Sequence, residues 1–468
     1  MINIQTDCQK NTYSAYHIAK AFFPEEEIEV TITENGKTPS DIYLQLREET
    51  GRNLPWGMLT GVRPTKLAMT KVKEQMPKEA FIEWFGKERF VSREKAAMAY
   101  DIAARELQLL KQAGIERDGQ QASADGMANA ADQPGTYSLY VNIPFCPTIC
   151  TYCSFSSGAI ADYKDVIDDY LDCVFRELDA VRKFCGIIKP TSIYIGGGTP
   201  TTLTPKQLER LLMKLRNDFL AEGREFTLEA GRPDTITEEK LRIAKECGVT
   251  RISINPQSMQ QKTLDAIGRH HSPQQIRDAF RLARSMGFDN INMDLIMGLP
   301  AEDVNDMKDT LAQIGELRPD SLTIHSLSIK RASRIFHQTA DAQTVEQMLE
   351  TAGAFAKELG MQPYYLYRQK GIAGNFENTG WALPGKECLY NILIMEEIES
   401  ILAVGAGATT KMVLLEAIQA KENRPDKQTK LIRIRNVSDI REYLSRVDEM
   451  IARKEAAFHP GEKDLKKQ

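Results

Sequence analysis

Apolar and polar positions change their rhythm along this chain, and each change marks a different kind of structure. Residues 13–23 carry helical spacing. E-I-E-V-T-I-T (27–33) and D-I-Y-L-Q-L (41–46) alternate as strands do, with the turn signal E-N-G-K between them. Residues 66–112 read as helices, so 1–112 is predicted to be an N-terminal α+β module. The stretch W-G-M-L-T-G-V-R-P-T-K (56–66) fits either a docking or substrate loop or the lead-in to a helix, with Pro64 near its start. Residues 113–136 are small, polar and nearly free of large apolar groups. They bury too little to fold alone and read as a flexible linker and a domain boundary.

From 137 onward strand and helix patterns alternate. The strands are S-L-Y-V-N-I (138–143), S-I-Y-I (192–195), F-T-L-E-A (226–230), R-I-S-I (251–254), N-I-N-M-D-L-I (290–296) and S-L-T-I-H (321–325). The clearest helix between them runs from about 163 to 185. There Val166, Ile167, Tyr170, Leu171, Val174, Leu178 and Val181 recur on one face. Six βα units in succession predict an α/β fold with a parallel sheet over 137–335, either open and doubly wound or a partial barrel. Residues 336–468 are less regular and are predicted to be a mainly helical region that covers a substrate. Helices are expected at 343–359 and 390–402, a Gly-rich strand and turn at 402–408, then a charged helix and a frayed tail after Pro460.

Composition narrows the class. Apolar residues make up 42% and charged residues 27%, which suits a folded core, and the net charge of -5 argues against a general nucleic-acid binder. With no apolar run of about 18 residues, no membrane span is expected. The first ten residues lack the basic start and apolar stretch of a secretory signal, so a cytoplasmic location is expected. Five of the eight cysteines are scattered singly and three fall within eight residues. In a reducing compartment such a cluster reads as metal ligation before disulfide bonding.

Those three are Cys146, Cys150 and Cys153 in F-C-P-T-I-C-T-Y-C-S-F (145–155), directly after the first strand of the βα series. Three thiolates can bind three irons of a [4Fe-4S] cube and leave the fourth open to a small molecule. Structural zinc takes four ligands, and no partner Cys or His lies near residue 153; zinc and chance clustering stay as alternatives. I-G-G-G-T-P-T (195–201) follows the second strand. Its glycines allow close backbone approach to a ligand, or simply a tight turn. Glu229, Gln257 and Asp294 fall at strand ends, where barrels gather their ligand chemistry. Arg269, in A-I-G-R-H-H, lies in a turn between helices and is a candidate cation for the same rim, whereas His270 and His271 read as surface residues. P-Y-Y-L-Y-R-Q-K-G (363–371) could stack on a planar molecule, with Arg368 and Lys370 pairing its carboxylates; an ordinary strand is the alternative. A-V-G-A-G-A-T-T-K (403–411) is either a closure for the site or a turn.

Taken together, L-Y-V-N-I-P-F-C-P-T-I-C-T-Y-C-S-F, G-G-G-T-P-T and M-D-L-I-M-G-L-P resemble the radical S-adenosylmethionine superfamily. Within it they resemble the oxygen-independent coproporphyrinogen III oxidase family, over about residues 137–330 and more weakly over 360–411. Residues 1–112, with W-G-M-L-T-G-V-R-P-T-K, Y-Y-L-Y-R-Q-K and G-A-G-A-T-T-K, look closer to the HemZ-like branch. The resemblance implies a partial (β/α)6 TIM-like barrel and a [4Fe-4S] cluster on Cys146, Cys150 and Cys153. It implies cleavage of S-adenosyl-L-methionine to a 5′-deoxyadenosyl radical, which takes hydrogen from the propionates of coproporphyrinogen III. Two rounds, each with loss of CO2 and of one electron to an acceptor, would give protoporphyrinogen IX, in haem biosynthesis, with the cluster fed by a low-potential donor such as flavodoxin or ferredoxin. The resemblance also places Tyr140 near the sulfonium as the catalytic candidate. Gly197, Gly198 and Thr199 would lie against the methionine or nucleoside part, and Glu229, Gln257, Arg269 and Asp294 where the family holds S-adenosylmethionine.

Two positions depart from the well-studied oxidases. Phe155 stands where they carry a fourth cysteine, and Asn142 where they carry a histidine. Haem chaperones of the same fold share such differences. A chaperone, or a radical enzyme acting on another tetrapyrrole, is therefore the alternative expectation.

Overall fold

The computed structural model describes residues 1–24, 26–115, 136–153, 157–327, 340–368, 376–419 and 428–458. Most of the linker expected at 113–136, Phe155, Lys370 and the tail beyond Pro460 lie outside them. In chain order the elements begin with β1 (Ile2–Thr6), α1 (Thr12–Phe22), β2 (Ile28–Ile32), α2 (Pro39–Thr50), α3 (Thr65–Lys73), α4 (Lys78–Arg89) and α5 (Arg93–Gln112). The alternating part follows: β3 (Tyr137–Ile143), β4 (Phe145–Cys146), β5 (Gly158–Ala159), α6 (Ile167–Cys185), β6 (Ser192–Gly197), α7 (Pro205–Asp218), β7 (Glu225–Glu229), α8 (Glu238–Glu246) and β8 (Arg251–Ser253). Next come α9 (Gln261–Ala266), α10 (Pro273–Ser285), β9 (Ile291–Met297), α11 (Val304–Leu317) and β10 (Ser321–Ser326). The chain ends with α12 (Ala342–Glu358), β11 (Gln362–Arg368), β12 (Glu377–Ala382), α13 (Leu389–Glu396), β13 (Ser400–Val404), β14 (Thr409–Gln419), β15 (Gln428–Arg435) and α14 (Ile440–Phe458).

All six strands expected between 138 and 325 form, within two residues of their expected bounds. The reason is physical. Strands of a parallel sheet are buried on both faces, so they read as apolar runs; six of the seven residues of β3 are buried. The helices between them announce themselves by their caps. Thr204 with Gln207 and Ser272 with Gln275 form capping boxes behind Pro205 and Pro273.

The chain divides into two compact units. One comprises Met1–Ala113, Gln257–Ile267 and Asp294–Glu387; the other comprises Gly114–Pro256, Gly268–Met293 and Cys388–Gln468. In the first, β1 and β2 pair in parallel, and β10, β12 and β11 pair antiparallel in that order. One apolar core is built on Ile18, Phe22, Ile42 and Tyr43, and another on Trp56, Phe81, Phe85 and Ile102. Residues 41–46, expected as a strand, are helical in α2. The Thr38–Asp41 capping box and Pro39 start a helix, Gly51 ends it in a left-handed conformation, and the buried set is Ile42, Tyr43 and Leu46. The 56–66 stretch is the lead-in to a helix. Trp56 is wholly buried and its Nε1 donates to Glu377 Oε2 at 2.7 Å, Lys95 pairs with the same carboxylate, and Pro64 caps α3. Arg368 fastens onto this stretch as well: its Nη1 donates to Leu59 O at 2.8 Å and its backbone N to Val62 O at 2.7 Å.

In the second unit β3 pairs in parallel with β6 on one side and β13 on the other. The ladder continues through β7, β8 and the first residues of β9, and on the far side β14 and β15 add antiparallel. Tyr140 lies opposite Tyr194, and Asn142 opposite Gly196. Residues 336–468, expected to be mainly helical with one strand at 402–408, carry the expected helices and, among the described residues, five strands, of which β13 is the expected one. The helix expected at 390–402 stops at Glu396, because Glu397 takes a left-handed φ of 51° and the chain enters β13.

A titration follows from the first unit. Burial pushes the Glu302 carboxyl up to about 7, against a hydrogen bond from the Ser258 hydroxyl, and its Oε2 has no partner among the described residues. The unfolded chain ionises near 4.5. Glu302 therefore lends the fold stability that is full below pH 4.5 and is lost as pH rises to about 7. Glu302→Gln should gain on the wild type by roughly 3 kcal/mol across that window in denaturant unfolding. A stability difference that stays flat with pH would exclude this account.

Candidate active site

The cysteine loop leaves the end of β3 and has little backbone pairing of its own. β4 and β5 make a two-residue parallel ladder, Gly158 N donates to Pro144 O at 2.8 Å, and Cys153 N donates to Cys150 O at 3.1 Å. Its support comes from two buried guanidinium groups. Arg232 grips Asp234 through Nε (3.0 Å) and Nη2 (2.9 Å) and reaches Thr148 Oγ1 at 3.1 Å through Nη1. Arg269 donates through Nη2 to Gly231 O (2.6 Å) and Asn255 O (2.7 Å), and through Nη1 to the Tyr152 hydroxyl (3.3 Å). The turn between α9 and α10 thus ties the ends of β7 and β8 to the cysteine loop.

The three thiols are half-buried and none is in a disulfide. Burial pushes the Cys146 thiol up, while the Thr199 hydroxyl, 3.7 Å from its sulfur, and the Arg232 charge pull it down. Iron binds the thiolate, so neighbouring cations ease ligation. Among the described residues no three His, Cys, Asp or Glu side chains converge on one metal ion. A cube ligated at separate corners needs sulfurs spread more widely than one ion does, and three thiols on a single loop supply that donor set. His271, expected at the surface, is buried, and burial together with Arg269 and Arg232 pulls it down to about 3. Its ring is neutral at physiological pH and adds no third positive charge.

The glycine stretch is tied to the strand and loop beside it. Gly198 N donates to Ile143 O (2.9 Å) and Thr199 N to Phe145 O (2.7 Å), so these two amides lash the stretch to β3 and the cysteine loop. Gly197 has φ 106°, and a Cβ there would sit 2.0 Å from Asn142 Oδ1, so only glycine fits. Tyr140 shares a three-ring group with Tyr194 (6.2 Å) and Tyr390 (6.1 Å), and those two stack at 4.5 Å. The Tyr194 hydroxyl donates to Glu229. Burial, with the Glu229 carboxylate, pushes the Tyr140 phenol up, so it keeps its proton and donates to Asn142 Oδ1 at 3.0 Å.

Cys146, Tyr140, Gly197, Gly198, Thr199, Glu229 and Arg269 therefore belong to one unit and are joined by the contacts above. Gln257 and Asp294 belong to the other. There Gln257, at φ 65°, donates from its backbone N to Asp294 O at 2.9 Å, and the Asp294 carboxylate lies 3.8 Å from His325 Nε2. Sequence reasoning missed Arg232, Tyr194 and Tyr390. R-P-D (232–234) just past the third strand carried a signal for the first, and the strand register for the second. Tyr390 is delivered from far along the chain by Glu225, which accepts from the N–H groups of Leu389 (2.6 Å) and Tyr390 (3.1 Å).

The guanidinium fork of Arg269 makes a prediction. A lysine cannot serve three acceptors in that planar arrangement. Arg269→Lys should lower stability by about 1–3 kcal/mol and reduce the iron retained after anaerobic reconstitution. Wild-type iron content with an unchanged melting temperature would show that the fork does not hold the loop.

The radical SAM superfamily model matches residues 140–314. The chain is 40% identical over 404 residues to the oxygen-independent coproporphyrinogen-III oxidase-like protein HemZ of Bacillus subtilis, covering 84% of this chain and 77% of the relative. It is 31% identical over 274 residues to the heme chaperone HemW of the same organism, covering 58% and 70%. Among solved structures it is similar to the coproporphyrinogen III oxidase HemN of Escherichia coli, a radical SAM enzyme. That match has a TM-score of 0.55 and 23% identity, covers 69% and 71%, and bears out the expected partial barrel. The chain belongs to the radical SAM superfamily, with a [4Fe-4S] cluster and S-adenosylmethionine as its cofactors, and within it to the oxygen-independent coproporphyrinogen-III oxidase-like group.

Proposed function

We propose that the protein catalyses the oxygen-independent oxidative decarboxylation of coproporphyrinogen III to protoporphyrinogen IX. The observation that carries this reading is the 40% identity to the coproporphyrinogen-III oxidase-like relative, which runs through 84% of the chain and well past the barrel motifs. Cys146, Cys150 and Cys153 are assigned to the cluster. When bound, the cluster and S-adenosylmethionine supply the one-electron chemistry, and the protein supplies binding and orientation. Arg232 and Arg269 hold the cysteine loop and offset the charge of its thiolates. The Thr199 hydroxyl donates to the Cys146 sulfur. Tyr140 keeps its proton beside the sulfonium position. Gly197 and Gly198 allow the backbone to come close to the methionine part, and Glu229, oriented by Tyr194, accepts from ligand hydroxyls or the amino group. Gln257 and Asp294 are assigned to the cofactor on family resemblance. A flavodoxin or ferredoxin fits as electron donor, and the net charge of -5 fits a protein without nucleic-acid partners.

A second reading, a haem carrier, is favoured by the 31% identity to a heme chaperone. Anaerobic, reduced protein with S-adenosylmethionine and coproporphyrinogen III separates the two. The proposed enzyme releases 5′-deoxyadenosine and gives products that have lost one and then two carboxyl groups. A carrier binds haem stably and releases almost no 5′-deoxyadenosine with that porphyrinogen. Cys150→Ala should abolish both the brown chromophore and turnover; a variant that keeps its visible absorbance would overturn the ligand assignment.

A further inference from the structure

We infer that the C-terminal helix α14 governs cofactor binding from a distance, through Glu177, a positioning residue that sets the end of β3. This rests on the cysteine-loop reading proposed above. Glu177 and Lys454 are an ion pair buried in the second unit, each almost fully shielded from water. Lys454 and Asn436 Nδ2 (3.0 Å) bind Glu177 Oε1, while Gly405 N (2.7 Å) and the Tyr443 hydroxyl (2.6 Å) donate to Oε2. Asn436 closes the set by donating to Gly405 O at 2.8 Å.

What this carboxylate holds is the Gly405–Ala406 turn, and that turn grips Asn142. Asn142 Nδ2 donates to Ala406 O at 2.5 Å. Ala406 N donates to the Tyr170 hydroxyl at 3.0 Å, which donates in turn to Asn142 O at 2.8 Å. Gly405 has φ 100°, and a Cβ there would fall 2.5 Å from Asn142 O, so the turn sits against β3 with no space between. On its other side the Asn142 carboxamide receives the Tyr140 hydroxyl and blocks any side chain at position 197. The path therefore runs from Lys454 through Glu177 to Gly405, then to Asn142, four residues ahead of Cys146, and from there to Tyr140 and Gly197.

A buried ion pair is a poor way to gain stability, because two apolar side chains of similar volume do as well or better. Here the carboxylate is fully engaged by donors that fix one turn, which an apolar pair would pack against but not orient. The Gly-rich segment 403–411 thus serves as a brace behind β3.

The test uses full-length, anaerobically reconstituted protein and reads four quantities: iron content, the EPR signal of the reduced cluster with and without S-adenosylmethionine, and KM and kcat for 5′-deoxyadenosine release. Tyr170→Phe removes one hydroxyl and leaves the ring. It should keep wild-type iron and the EPR signal without S-adenosylmethionine, raise the S-adenosylmethionine KM roughly tenfold, and alter the signal change on adding it. Glu177→Gln leaves Lys454 buried and unpaired and should raise KM further. Glu177→Gln with Lys454→Met keeps an acceptor for Gly405 N and should return KM to within about threefold of wild type. Tyr170→Phe with wild-type KM and a wild-type spectral response would overturn the inference, as would variants that lose thermal stability and nothing else. If Glu177→Gln fails to fold, Tyr170→Phe decides alone. A wild-type protein that holds no iron removes the cysteine-loop reading, and this inference with it; an active wild type beside unaffected variants removes this inference only.

Discussion

Three thiols held close together on a short loop are a structural problem before they are a catalytic one, and much of the second unit answers it. The loop pairs with itself over two residues and one turn. Thiolates at such spacing repel one another, and the sequence 145–159 contains no Lys, Arg or His. The answer comes from outside the loop: a central strand paired on both sides, and two guanidinium groups whose donors engage backbone carbonyls, hydroxyls and one aspartate. Their charge lowers the cost of thiolates in a half-buried site. The same field keeps His271 neutral, since a proton there would add a third cation in the same low-dielectric setting.

How much of this was legible follows from which forces act locally. The six βα strands were readable because double-sided burial demands apolar runs, and the helices because capping is a short-range pattern. The exception is instructive. Ile42, Leu44 and Leu46 alternate like a strand, yet Thr38, Pro39 and Asp41 build a helix start that outweighs the alternation. The strands β14 and β15 went unread because the alternation I-R-I-R is short and charged, as in an exposed helix, and only pairing with each other makes it a ladder. The cysteines, glycines and strand-end residues were legible as a linear motif. Tyr390 and Glu177 were not, since each reaches its partners across long stretches of chain and only the folded ladder brings them there; for Arg232 the local Asp234 pairing was readable and the reach to Thr148 was not.

Both Gly-rich segments read as ligand loops or turns, and in the fold both also brace one strand. The 195–201 stretch gives its two best-placed amides to carbonyls of Ile143 and Phe145, and the 403–408 turn closes on Asn142 from the opposite side. A histidine is the family expectation at 142. An asparagine offers a donor and an acceptor in a smaller volume, and here the donor goes to Ala406 and the acceptor to Tyr140. Departure from the family residue thus coincides with a hydrogen bond at each end of the carboxamide.

Similarity by itself does not separate an oxidase from a carrier, because relatives of both descriptions match the chain. The difference lies in what surrounds the barrel, and the oxidase-like relative matches 404 residues where the chaperone matches 274. A porphyrinogen bearing four propionates calls for cations. Arg368 was the natural candidate from sequence, in an aromatic and basic stretch. In the fold its guanidinium is buried, bonded to Leu59 O and pulled down to about 10 by that burial, within reach of the Glu377 field. It stays charged at neutral pH, but moving it to a substrate would strand the 56–66 segment that it and Trp56 hold down. On the proposed reading, then, recognition of the propionates falls to other cations, and Arg368 serves by fixing the segment in front of α3.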